Sequence, residues 1–176
     1  MGSEREEIIN YIKSNGPVLP VNIAKMFRTD IMLASAMLSE LVSAKHLKLT
    51  KLTIGGSPVY YVLGQEDKLE EKLYHVLKGP EKEVYQMLKE RKVVLESELT
   101  PVVRVGLRSL KDFSIHITVR EGEYEFDFWK FYLVPDDVAQ EMIRMKINDL
   151  MKAEINVVHE KKSEPVHVPV ENEIIK

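Results

Sequence analysis

A chain of 176 residues, 44% hydrophobic and 30% charged with a net charge of −3, has the composition of a folded soluble protein and the length for two small domains. It contains no cysteine, which excludes disulfides and thiolate metal sites and agrees with a reducing, cytoplasmic compartment. No apolar run approaches the roughly 20 residues that span a bilayer, and the N-terminal MGSEREEII is acidic where a signal peptide is basic and then apolar, so no membrane association is expected.

In chain order, Ile8, Ile9 and Ile12 fall on one helical face over residues 4–14, with Ser3 and Glu6 spaced as a capping box. Asn15, Gly16 and Pro17 end that helix. A short second helix is predicted from Pro20 to Phe27, burying Ile23, Ala24 and Phe27. Thr29 or Asp30 caps a third, running to about Ala44, with Ala34, Leu38, Leu41 and Val42 as its core face. Near His46 the apolar spacing changes from helical to alternating, and Gly55 and Gly56 mark the turn of a β-hairpin that returns through Val59 to Val62. Leu69, Leu73 and Val76 or Leu77 repeat at helical spacing in the connector, which Gly79 and Pro80 close.

From Pro80 the same order begins again. Val84, Met87 and Leu88 mark a helix, Leu95 to Leu99 a short second one, and Thr100 with Pro101 the start of a third. Ile115, Ile117 and Val119, a turn at Gly122, and Tyr124, Phe126 and Phe128 make a second hairpin. A last helix opens at Pro135 with Asp136 and Asp137 at its positive end. The reading is thus α+β, mostly α: a unit at 1–64, a linker helix at 65–79, a second unit at 80–134, a C-terminal helix at 135–155 and a flexible or docking tail at 156–176.

Helix, helix, helix and hairpin is the order of a winged-helix unit, a helix-turn-helix followed by a β-hairpin wing. On LPVNIAKMF, ASAMLSELV, the wing KLTIGGSPVYYVLGQE and the helix RVGLRSLKDF, the chain resembles archaeal tandem winged-helix proteins associated with DNA binding and transcription. That resemblance implies DNA contact through the third helices and wings and a role in transcription regulation.

The residues point to two kinds of partner. For double-stranded DNA, Arg104, Arg108 and Lys111 are spaced i, i+4 and i+7 along the second unit's third helix, and Lys45, Lys48, Lys51 and Ser57 sit on or beside the first wing, where they could grip phosphates. RNA would use the same basic residues, and a solvated charged face is the alternative, with Arg104, Arg108 and Lys111 paired to Asp112 or to the acidic Glu96 and Glu98. Through Gly64 there are seven basic and five acidic residues, a surplus of two, so the remainder carries −5. Dedicated nucleic-acid coats are far more basic. The second wing, with Glu121, Glu123, Glu125 and Asp127, would repel phosphate.

For a protein partner or a homodimer, Ile31 and Met32 stand where a DNA reader would carry Arg, Asn or Gln, and Met142 and Met145 lie on the last helix. The five histidines are scattered, and no phosphate loop, dinucleotide fingerprint or nucleophile elbow occurs. No catalytic residue, metal or cofactor is expected. The alternatives are a DNA-binding regulator and a tandem winged-helix scaffold for protein–protein interaction.

Overall fold

The computed structural model describes the backbone of residues 2–162 and the side chains of residues 4–153. Among the described residues the chain is α+β, with seven α-helices and two antiparallel sheets of two and three strands. It divides between Pro135 and Asp136 into two compact units. No helix of the described residues is long and apolar enough to cross a membrane.

The first half of the larger unit is built from α1 (Gly2–Asn15), α2 (Pro20–Phe27), α3 (Ile31–Ser43) and the hairpin β1 (Lys48–Ile54) and β2 (Ser57–Tyr61). Ser3 carries helical backbone inside α1, so it is not the cap the sequence suggested. α2 starts with Pro at its first position, where the missing N–H is not needed. The Leu19 N–H donates to Asn22 Oδ1 at 2.8 Å, closing the helix start. Asp30 caps α3 by accepting from the Leu33 N–H at 2.8 Å. Ile8, Ile12, Ile23, Ala24, Ala34, Leu38 and Leu41 meet Leu47, Tyr60 and Val62 in one core. Each buried isoleucine, leucine or valine among them contributes on the order of 1.5–3 kcal/mol by leaving water. The segment after α1 joins the hairpin through an antiparallel bridge, Val18 to Tyr60. Gly55 and Gly56, at φ of 57° and 84°, make the two-residue turn.

The connector is one helix only in outline. It runs as a single 3-10 turn (Glu66–Lys68), a short α4 (Leu69–Leu73) and another 3-10 turn (Tyr74–Val76), with Leu69, Leu73 and Leu77 buried. Gln65, itself buried, donates from Nε2 to Ile12 O at 2.9 Å and ties the connector to the end of α1. This segment is packed core, not a loose linker.

The second half comprises α5 (Gly79–Arg91), β3 (Val93–Leu95), α6 (Pro101–Ser109), β4 (Ser114–Glu121) and β5 (Tyr124–Phe131). The short helix expected at Leu95–Leu99 is instead the end of β3 followed by one 3-10 turn, Glu96–Glu98. β3 pairs with β5 through Val93–Lys130, Val94–Trp129 and Leu95–Phe128, giving the order β3-β5-β4. β5 is paired along both edges, and at its base both faces are covered as well: Phe128, Trp129, Lys130 and Phe131 are all buried, while Tyr124 at the hairpin tip is exposed. Burial along this strand follows distance from the core, not the alternation its sequence suggested. Tyr85 sits at the centre of the second core, its ring edge-on to Phe113 at 4.9 Å, Tyr74 at 5.2 Å and Phe131 at 5.6 Å. α5 and α6 cross closely at Gly106, where a Cβ would stand 2.7 Å from Val84 Cγ2.

The smaller unit holds α7 (Asp136–Lys162), which ends seven residues beyond the helix expected to close at 155. That helix takes up the first part of the expected tail; residues 163–176 lie outside the described residues.

Candidate functional site

The basic stripe expected on the second unit's third helix does not form. α6 ends at Ser109, so Lys111 lies in the turn beyond it and leaves the i, i+4, i+7 series. Arg104 is half-buried, and its guanidinium caps the preceding turn: Nε donates to Leu99 O at 3.0 Å and Nη2 to Ser97 O at 3.4 Å. Arg108 is exposed but donates to Glu96 Oε1 at 2.7 Å. Glu96 is the hub of this face. Its other oxygen accepts from Trp129 Nε1 at 2.7 Å and lies 3.7 Å from His116 Nε2, which is 3.2 Å from Asp127 Oδ1. The 3-10 turn that replaces the expected helix is what aims Glu96 at the sheet. Two of the three cations predicted to meet phosphate are therefore engaged within the chain.

The face α6 does turn outward is apolar. Val102 is 72% and Val105 61% exposed, and with Pro80, Val84 and Pro101 they border a groove of about 460 Å³. Sequence reasoning missed these two valines. The signal was their i, i+3 spacing on the side of the helix away from the buried Leu107.

On the first hairpin, β1 carries a bulge between Leu49 and Thr53. Thr50 turns inward there, accepting from the Val59 N–H at 3.0 Å and donating to Leu52 O at 2.7 Å. The displaced Lys51 and Leu52 N–H groups point outward, and the Asp112 carboxylate takes both: Lys51 N at 2.8 and 3.0 Å, Leu52 N at 2.6 Å. A bulge that leaves two donors unpaired thus becomes the clamp between the two halves.

That clamp brings two sequence-predicted residues together. Lys51 and Lys111, exposed and 60 positions apart in the chain, become neighbours because the residue after Lys111 holds the backbone of Lys51. Lys48 is exposed but faces Glu66 at 3.4 Å. Lys45 follows the end of α3 at φ of 62°, and Ser57 sits half-buried at the start of β2, opposite Ile54. Beside the clamp, Tyr61 is buried, and burial, with the Glu66 and Asp112 charges, pushes its hydroxyl up to about 12.

The apolar cluster on α3 stands open. Ile31 is 52%, Met32 83% and Leu33 52% exposed in its first turn. The adjacent groove, about 450 Å³, is floored by Phe27, Leu33 and Met37. On α7, Met145 is exposed and Met142 half-buried. The second hairpin keeps its acidic edge, with Arg120 donating to Glu125 at 2.7 Å and Thr118 to Asp127 at 2.7 Å.

Among the described residues no three His, Asp or Glu side chains converge as metal ligands. Neither the scan of protein-family models nor the search of curated proteins finds a match to this chain.

Proposed function

We propose that this chain is a non-enzymatic interaction module: two winged-helix units that present the exposed faces of their third helices to protein partners. The observation that carries this reading is the chemistry of those faces. Where a DNA reader needs donors and acceptors for base edges, α3 offers Ile31, Met32 and Leu33, and α6 offers Val102 and Val105. The arginines of α6 are held by Glu96 and by backbone carbonyls, so a phosphate would first have to displace them. Contiguous apolar surface of this kind marks an interaction site.

A DNA-binding regulator is the second reading, favoured by one observation. The Asp112 contact brings the exposed Lys51 and Lys111 near one another, with Lys48 on the same strand as Lys51, which gathers cations that a phosphate backbone would favour.

The test is a pair of measurements on the purified chain. Binding to labelled duplex DNA across a salt series is expected to be weak and to disappear at physiological salt. Submicromolar binding lost in Lys51→Glu with Lys111→Glu would overturn the protein-partner reading in favour of DNA. In affinity capture from the source cells, Val102→Asp with Val105→Asp is expected to lose a stoichiometric bound protein that Arg108→Glu retains. Retention by both variants would remove α6 from the interface.

A further inference from the structure

Resting on the interaction-module reading, we propose that the occupant of the α3 surface is a second copy of this chain, docked about a twofold axis. The shape of the surface carries the first half of the argument. Met32 stands 83% exposed in the first turn of α3, the most exposed large hydrophobic side chain among the described residues, on a helix start fixed by the Asp30 cap. The next residue, Leu33, lines with Phe27 and Met37 a recess closed on one side by the Arg5–Glu40 ion pair. A protruding apolar side chain and a recess able to receive one occur on the same short stretch. That is the requirement of an isologous contact, in which one patch must complement itself.

Charge carries the second half. Glu4 and Arg28 both line the recess, have opposite signs, and have no ion pair or side-chain hydrogen bond among the described residues. A partner of one sign would satisfy one of them and repel the other. A second copy turned through a twofold sets Glu4 of each copy against Arg28 of the other, so both are answered, twice per dimer. Met32 of each copy then enters the other's recess and is withdrawn from water with Ile31 and Leu33 around it. The exposed apolar turn and the charge-balanced recess that Leu33 shares with it thus become the core and rim of one interface.

The experiment is sedimentation equilibrium of the full chain from low micromolar to submillimolar concentration, with the melting temperature followed for every variant. The wild type is expected to show a monomer–dimer equilibrium. Met32→Glu, at a position too exposed to disturb folding, is expected to weaken it about tenfold or more. Arg28→Glu and Glu4→Arg are each expected to weaken it, and the double reversal to restore it, because the twofold rebuilds the pair with its signs exchanged. A wild type that is monomeric throughout, a Met32→Glu dimer as tight as wild type, or a double reversal weaker than both single ones would overturn the proposal. The α6 capture measurement reads independently: a monomeric wild type that still loses its bound protein on Val102→Asp with Val105→Asp removes the twofold dimer and leaves the interaction module standing.

Discussion

In the first half of the 2–135 unit a full helix, α2, lies between the Val18 bridge and α3, whereas in the second half only the single turn Glu96–Glu98 separates β3 from α6. Both halves lead their first helix into a segment that pairs with the returning hairpin strand, and both then place a helix in front of that hairpin. The difference is one of chain length and residue type. After Val18 the chain has Pro at a helix start and eight residues to form α2. After Lys92 it has the β-branched pair Val93–Val94, which extends the pairing to three residues, and then too few residues before Thr100, which Pro101 holds extended. A helix turn that closes no further bonds is not worth nucleating there. The comparison teaches that one topology tolerates the loss of a helix when strand pairing replaces it. The replacement also has a chemical consequence, since it is the 3-10 turn that delivers Glu96 to Arg108 and Trp129.

How far the halves behave as one body can be tested at the connector first. Leu73→Ala removes a fully buried side chain of α4 and is expected to cost about 3 kcal/mol. Thermal and urea unfolding, followed separately by the single tryptophan in the second half and by far-ultraviolet dichroism, should shift together. Transitions that separate would mean that the halves fold independently.

The clamp comes next in size. Asp112→Ala removes the acceptor for the Lys51 and Leu52 amides and is expected to cost about 1–2 kcal/mol, because both donors can regain water at this surface. Amide exchange should accelerate at Lys51 and Leu52 while the amides of the first core keep their protection. Unchanged exchange at those two amides would show that the bulge protects itself.

The smallest effect at neutral pH belongs to the tyrosines. Burial raises the Tyr85 hydroxyl above its ordinary range, with the neighbouring Tyr132 and Glu70 adding to it; Tyr132 is raised by burial and by Glu70, and Tyr61 stands at about 12. A pKa raised in the folded state means that the native protein holds the proton after the unfolded chain has released it. The stabilisation is complete below the ordinary tyrosine value of about 10 and is lost as pH rises above it. Two of the three groups lie around the second core. Tyr85→Phe with Tyr132→Phe should therefore flatten the fall of melting temperature between about pH 10 and 12 more than Tyr61→Phe does. Equal flattening by either variant would erase the distinction between the halves.

Much of this architecture was legible in the residues. Asn15-Gly16-Pro17, Gly55-Gly56 and Gly122 punctuated the chain where helices and hairpins end, since few other residues adopt those backbone angles cheaply. Asp30, Ile23, Leu38 and Leu41 announced α2 and α3 by cap and spacing, and Ile31, Met32 and Leu33 announced an open apolar turn. Local pattern was enough there, because each feature depends on neighbours within one or two turns.

What the residues could not disclose depends on partners distant in the chain. The β3 strand exists because β5 lies beside it, and β5 loses its alternation because a strand on each side and packing on both faces bury its base. Glu96 was one of the acidic partners the residues offered to Arg108, and it takes that role, but that the carbonyls of Leu99 and Ser97 hold Arg104 follows only from the fold of the intervening turn. Asp112 looked like a partner for nearby cations, and instead it holds a backbone 60 residues back. The sequence by itself determined the order of helices and hairpins and the apolar turn of α3, because spacing, caps and glycine angles are local. Tertiary structure alone decided which charges remain available to a partner, because a charged side chain takes whichever acceptor the fold brings within reach.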